Sequence, residues 1–200
     1  MPRARSRNDE RSRIAHLAAR LMAEDGIEDY GAAKRKAARQ AGVPDTRQLP
    51  TNEEIDAALR MHQALYQADE HPGRLRALRE HAMEAMKQFE RFNPYLTGSV
   101  LTGNAGKYAD INLQLYTDSA KAVELYLIDQ RIEYRAGQLR LYVAGTPRTV
   151  PTFTIDDGGT EVQLVVLDAQ DVRVAVKTSP DGKPIERAKL NAVEALLVEG

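Results

Sequence analysis

The spacing of the apolar residues changes once along the chain, near Pro94. Before it, apolar side chains recur every three or four residues, and after it they alternate with polar ones. The first pattern predicts amphipathic helices and the second predicts strands. Because the two kinds of segment occur in separate blocks, we expect an α+β fold and not a doubly wound sheet. We place the boundary between Phe92 and Tyr95, with a helical region over 1–92 and an α+β domain over 93–200.

The helical region contains four apolar stripes separated by glycine and proline. The stripes predict one helix through Ile14–Met22, one over Gly31–Gln40, one beginning near Thr51 and one carrying Leu75–Phe89. The expected breaks are at Gly26, Gly42, Pro44, Pro72 and Gly73. Thr51 and Glu54 have the spacing of a capping box, which fixes the start of the third helix.

The second block predicts a small sheet. Residues 110–115 alternate strictly, which indicates a half-buried strand with polar residues Asp110, Asn112 and Gln114 on its open face. A helix is expected to start at Asp118, and Asp156-Asp157-Gly158-Gly159 has the composition of a hairpin turn. The further predicted elements are strands at 132–134, 139–143, 149–155, 161–167 and 172–176, and a helix near 190–197.

Residues 98–115 read Gly-Ser-Val-Leu-Thr-Gly-Asn-Ala-Gly-Lys-Tyr-Ala-Asp-Ile-Asn-Leu-Gln-Leu. This resembles the signature of the minimal nucleotidyltransferases, the superfamily that includes DNA polymerase β and the kanamycin nucleotidyltransferases. In that family a Gly-Ser pair is followed by a glycine, a small residue and an Asp-Ile-Asp-Leu strand. The matching positions are Gly98, Ser99, Gly103, Ala105, Asp110, Ile111 and Leu113. The resemblance covers roughly the second half of the chain and implies a small mixed sheet with flanking helices, in a bacterial branch with a helical N-terminal extension.

The resemblance also implies a site. In the family, two carboxylates at alternate positions of one strand and a third from a neighbouring strand hold two Mg²⁺ ions, which clamp the attacking and leaving oxygens of phosphoryl transfer. The corresponding catalytic positions here are Asp110, Asn112 and Gln163, with Asp110 as the metal ligand. Nucleoside triphosphate would contact the turn formed by the nucleotide-binding positions, which are Gly98, Ser99 and Gly103.

Two of the three expected carboxylates are amides in this chain, at Asn112 and Gln163. An amide keeps the shape of a carboxylate but contributes no negative charge, and Mg²⁺ is held mainly by carboxylates and phosphates. Glu161 shares a strand face with Gln163 and would substitute for it only if that strand were shifted. We therefore expect weak Mg²⁺ binding at most, and a nucleotide-binding or catalytically inactive protein.

An alternative interpretation concerns the helical region. Residues 14–43 resemble the start of a helix-turn-helix regulator of the TetR kind, with Ala41-Gly42-Val43 at the end of the second helix. Lys34, Arg35, Lys36 and Arg39 could face nucleic-acid phosphates together with the arginines of the N-terminus. Pro44 and Pro50 oppose the recognition helix that should follow Val43. This interpretation predicts a DNA-binding protein or an adaptor. In a third interpretation the protein is an interaction module, and the nucleotidyltransferase-like site serves only as its scaffold.

The composition sets outer limits. The formal net charge of −1 does not favour nucleic acid or acidic lipid as a partner of the whole molecule. The absence of cysteine excludes disulfides and thiolate metal sites. No apolar run approaches the ~20 residues of a membrane helix, and the chain opens with proline and arginines instead of an apolar signal core. We therefore expect a cytoplasmic protein without a membrane segment, whose residues 1–12 form a basic flexible tail.

Overall fold

The structure of the chain, a computed structural model, describes residues 3–25, 27, 29–43, 49–66, 71–180 and 182–198. The breaks predicted at Gly26 and Pro44 lie outside these residues. The chain forms two compact units. The helical unit comprises Met1–Arg74 and Asn104–Ala109, and the sheet unit comprises Leu75–Gly103 and Asp110–Gly200. The boundary that we expected, between Phe92 and Tyr95, marks the change from helices to strands and lies inside the sheet unit.

Four helices precede the sheet, as the apolar stripes predict. They are α1 (Arg3–Asp25), α2 (Tyr30–Gln40), α3 (Asn52–Tyr66) and α4 (His71–Gln88). Residues 3–12, which we expected to belong to a flexible tail, are part of α1 in the structure. Arginine, alanine and glutamate favour helix. The helix therefore begins before the apolar stripe Ile14–Met22 from which it was predicted.

The start of α3 is fixed by the predicted capping box. The Glu54 backbone N–H donates to Thr51 Oγ1 at 3.2 Å, and the Thr51 backbone N–H donates to Glu54 Oε2 at 2.6 Å. The two orphan donors of the first turn are thereby satisfied. The core of the helical unit is built largely of alanine, including the fully buried Ala18, Ala33 and Ala37. Small side chains allow the helix backbones to approach closely, which explains the alanine-rich composition of this region.

In its described residues, the sheet unit contains seven strands and three α-helices that follow α4. The strands are β1 (Pro94–Thr97), β2 (Ile111–Thr117), β3 (Tyr134–Val143), β4 (Thr146–Asp157), β5 (Thr160–Asp168), β6 (Val176–Lys177) and β7 (Arg187–Ala188). The helices are α5 (Gly98–Thr102), α6 (Ala120–Asp129) and α7 (Leu190–Val198). The α+β class is thus confirmed. In the described ranges no helix is both long and apolar enough to cross a membrane.

The strands form one mixed sheet in the order β6-β3-β4-β5-β2-β1-β7. β2 and β5 run parallel at its centre, and the other pairings are antiparallel. The β4–β5 hairpin closes at Gly158 and Gly159, both with positive φ, as the turn composition predicts. One face of the central strands is apolar, with Ile111, Leu113 and Leu164 fully buried.

Several elements differ from the expectation. Residues 132–134 and 139–143 were predicted as two strands, and 134–143 form the single strand β3. Residues 169–173 form a 3₁₀ helix before the short β6, where one longer strand was expected. β1, α5 and β7 were not predicted, because segments of two to five residues are too short to show a period. β2 is buried on both faces over much of its length, since it lies in the middle of the sheet.

The second face of the central strands divides into two parts. At one end lies the apolar cluster, in which the 3₁₀ helix and the segment after it supply Val172, Val174 and Ile185. The strand members of the apolar cluster are Tyr116, Leu141, Val143, Val150, Val165, Leu167 and Val176. At the other end, near the start of β2 and β5, the same face carries polar side chains, and this is where the predicted site residues lie.

Candidate functional site

A row of polar residues crosses five strands of the sheet. In register from one strand to the next, the polar row is Thr97, Asn112, Gln163, Thr154 and Arg135. Residues that are directly opposite on neighbouring strands share a face of the sheet. The structure therefore brings Asn112 and Gln163 together on adjacent strands, with backbones about 4.8 Å apart. The predicted neighbour relation between these two positions is present in the fold.

Gly98 lies against this row. Its φ is +76°, and a Cβ built on it would be 3.3 Å from Asn112 Nδ2. A side chain at this position would be strained by the left-handed backbone and crowded by the amide. β1 ends at Thr97, whose Oγ1 donates to the Asn112 carbonyl oxygen at 3.2 Å. Glycine thus allows β1 to turn into α5 directly beside Asn112.

Ser99 and Gly103 are at opposite ends of α5. Ser99 is half-buried in the first turn, and its carbonyl oxygen accepts from the Gly103 backbone N–H. Gly103 has φ +83° and ends the helix, so its local role is that of a left-handed cap. Arg79 donates to the carbonyl oxygens of Val100 and Leu101 at 3.2 and 3.3 Å. Gly98 therefore lies beside the polar row, Ser99 follows it in the first turn of α5, and Gly103 ends that helix.

Asp110 precedes β2 and lies next to Glu161. Ile111 pairs with Val162 in the parallel ladder, so the residues one step earlier on each strand are also neighbours. Burial raises the pKa of the Asp110 carboxyl, the charge of Glu161 raises it further, and Arg135 opposes both. Arg135 Nη2 donates to Glu161 Oε1 in a short ion pair. The titratable side chains described at the site are thus two carboxyl groups and one guanidinium.

The strand register also shows whether Glu161 could take the position of Gln163 in the site. Gln163, and not Glu161, is level with Asn112, so the strand is not shifted.

The prediction that Gln114 lies on an open polar face is wrong. Only 2% of Gln114 is exposed, and its Oε1 accepts from Tyr116 Oη at 2.8 Å. It is therefore a buried polar residue next to the apolar cluster and does not belong to an open polar face.

The arrangement does not fit the pair of Mg²⁺ ions that the resemblance implies. Two of the three family carboxylate positions hold neutral amides, and the nearby Glu161 is engaged by a cation. Within the part of the chain that the structure describes, no three His, Cys, Asp or Glu side chains are grouped to hold a metal ion. Since Mg²⁺ is held mainly by carboxylates and phosphates, these residues do not fit a two-metal site.

Sequence analysis missed Arg135 and Thr154. Both reach the site through cross-strand pairing. Thr154 lies inside the predicted hairpin, whereas Arg135 follows the predicted strand 132–134 directly. A local pattern carries no information about which strands become neighbours, so neither residue had a signal in the sequence.

The cations of α2 mostly face partners within the helical unit. Lys36 Nζ is 2.8 Å from Asp25, Arg35 is 3.8 Å from Asp29, and Lys34 donates to Asn52 at 2.7 Å. Residues 41–51 separate α2 from α3, whereas a helix-turn-helix joins its helices by three or four residues. Pro44, which we expected to oppose the recognition helix, lies outside the described residues. These distances do not favour the nucleic-acid alternative.

The chain matches no family model, and no curated protein or solved structure matches it significantly.

Proposed function

We propose that the sheet unit is a nucleotidyltransferase-like module that binds a nucleoside triphosphate and does not transfer the nucleotidyl group. The observation that carries the proposal is the register of Asn112 with Gln163, beside the positive-φ Gly98. The family resemblance implies that metal-binding carboxylates occupy these two positions. The amides therefore coincide with the positions on which catalysis in the family depends.

The electrostatics of the amides support binding without transfer. A carboxylate that lacks its metal repels phosphate, because two like charges 4 Å apart near a protein surface cost several kcal/mol at most and about 1 kcal/mol in water. Asn112 and Gln163 remove that repulsion, and each amide offers N–H donors to a phosphate or ribose oxygen. The same substitution removes the ligands that would hold Mg²⁺ against the reacting phosphate, so binding and catalysis are separated.

Calorimetric titration with ATP, GTP, CTP and UTP, each with Mg²⁺ and with EDTA, tests the proposal. We expect heat from at least one nucleotide and no labelled product from any of them. The site variant is Gly98→Ala, which should abolish binding, and Gly145→Ala is its matched control. Both glycines have positive φ, but a Cβ on Gly145 would meet nothing within 4 Å. Absence of heat from all four nucleotides would remove the binding proposal, and labelled product would overturn the loss of transfer.

DNA binding by the helical unit is the alternative prediction. A gel-shift salt series with the full chain tests it, since affinity that depends on phosphate contacts falls steeply with salt. A Lys34→Ala, Arg35→Ala, Arg39→Ala triple variant should bind less than the wild type if α2 contacts DNA. Negligible binding by both proteins would dismiss this alternative.

A further inference from the structure

Arg135 reaches the site from a distant strand. β3 is separated from β5 by β4, yet Arg135 Nη2 donates to Glu161 Oε1. The side chain therefore crosses β4 on the face that carries the polar row. Thr154, which is opposite Arg135 on β4, belongs to the same row.

Glu161 and Asp110 form a pair of neighbouring carboxylates on the two parallel strands. Two like charges at this spacing destabilise each other unless a cation lies near them. The family resemblance implies a metal ion beside Asp110, and Glu161 lies next to that residue on the parallel strand. Among the described residues, Arg135 forms an ion pair with Glu161, and its guanidinium also acts electrostatically on Asp110.

A guanidinium differs from a metal ion in a way that matters for ligands. It is always charged, and its five N–H donors fit carboxylate and phosphate oxygens in pairs. One terminal nitrogen is used by Glu161, and 71% of the Arg135 side chain is exposed to solvent. A phosphate can therefore approach the same guanidinium from the solvent side.

We infer that Arg135 is a resident cation that replaces the metal ion beside Asp110 and Glu161, and that phosphate groups bind this site through the arginine without a divalent ion. The first half of the inference concerns the chain alone, and the second half rests on the proposed function. A divalent ion would have to displace the guanidinium or bind beside it. Either route weakens metal binding to the carboxylate pair.

Titration with Mn²⁺ followed by electron paramagnetic resonance tests the first half. Arg135→Gln should bind Mn²⁺ about two- to fivefold more tightly than the wild type, as expected for removing a largely exposed cation next to the ligands. Arg140→Gln is the matched control, because it lies on the same strand and is exposed but belongs to the opposite face. A second variant, Arg135→Gln with Glu161→Gln, should lose the gain. Equal Mn²⁺ affinity in the wild type and in Arg135→Gln would overturn the inference.

Titration with ATP tests the second half. The wild type should bind ATP with the same affinity in EDTA and in Mg²⁺, and Arg135→Gln should lose about tenfold in EDTA. If the affinity of the wild type for ATP depended on Mg²⁺, the inference that phosphate binds through Arg135 without a divalent ion would be overturned. If neither protein bound any of the four nucleotides, the proposed function would fail, while the Mn²⁺ titration would still decide the role of Arg135.

Discussion

The polar row and the apolar cluster lie on the same face of the same strands, yet their side chains differ in kind. Along β5 the face changes from Gln163 to Val165 and Leu167, and along β4 it changes from Thr154 to Val150. An ordinary solvated strand face would stay polar along its length. The change within single strands shows that burial by the segment after β5 dictates one end. The polarity of the other end is consistent with the ligand site that we propose.

The apolar cluster and the polar row also differ in how far the charged side chains near them are buried and paired. Next to the apolar cluster in sequence, the buried Asp171 has a cation close by, since Arg148 Nη1 is 2.6 Å from its Oδ2. In the polar row the amides are half-buried, and the charged groups beside them are partly exposed. Low dielectric makes an unpaired charge costly in the first region, while solvent lowers that cost in the second. We therefore expect stability to depend on the apolar cluster and ligand binding to depend on the polar row.

Removing a large side chain from the apolar cluster should have the largest effect. Leu141→Ala leaves a cavity in a region where Leu141 is 1% exposed, and we expect a loss of about 2–4 kcal/mol in the free energy of unfolding. Gln163→Ala in the polar row should cost less than about 1 kcal/mol. Urea unfolding followed by circular dichroism measures both. Equal losses would mean that the polar row is part of the folding core.

The next effect concerns the buried carboxylate of the same region. Arg148→Ala leaves Asp171, whose side chain is 7% exposed, without its closest cation. We expect a loss of about 2 kcal/mol, which is below the range for fully buried pairs because Arg148 is 38% exposed. The control is Arg173→Ala, an exposed arginine of the same 3₁₀ helix, which should change little. Similar losses in both variants would show that the Arg148–Asp171 ion pair contributes no more to the free energy of unfolding than an exposed arginine does.

Returning the charges to the polar row should have a smaller effect on stability. Asn112→Asp combined with Gln163→Glu places two additional carboxylates near Asp110. At pH 8 we expect a loss of about 1 kcal/mol from like-charge repulsion, and a smaller loss at pH 4, where carboxylates begin to take up protons. Thermal unfolding against pH measures it, and added Mn²⁺ should restore stability. Unchanged stability at pH 8 would place the two side chains too far from Asp110 to interact.

The smallest effect concerns Asp110 itself. Burial raises its pKa, so folding favours the protonated form. Its favourable contribution is complete below the ordinary carboxyl pKa and is lost as pH rises through the raised value. Asp110→Asn should therefore gain stability relative to the wild type between about pH 4 and pH 7, by less than about 1 kcal/mol because the group is partly solvated. Asp118→Asn, an exposed carboxylate just past β2, should show no such gain.

The helices and the central hairpin were predictable because their signals are local. The capping box of Thr51 and Glu54 and the glycines after Asp157 specify their own geometry. The Gly-Ser motif and the alternating residues of β2 also located Asn112 in advance, and the family resemblance led to Gln163. Arg135 could not be found, since its place depends on which strands pair. Gln114 was misplaced because alternation alone does not show which part of a strand face is covered.

The polar row is the centre of this account, and a crystal structure of the protein with a non-hydrolysable nucleoside triphosphate and MnCl₂ tests it most directly. Anomalous scattering from manganese would locate any bound metal without ambiguity. We predict nucleotide beside Asn112 and Gln163, with the Arg135 guanidinium near a phosphate group and no manganese pair at Asp110. Two manganese ions coordinated around Asp110 and bridged by the phosphates would contradict the account.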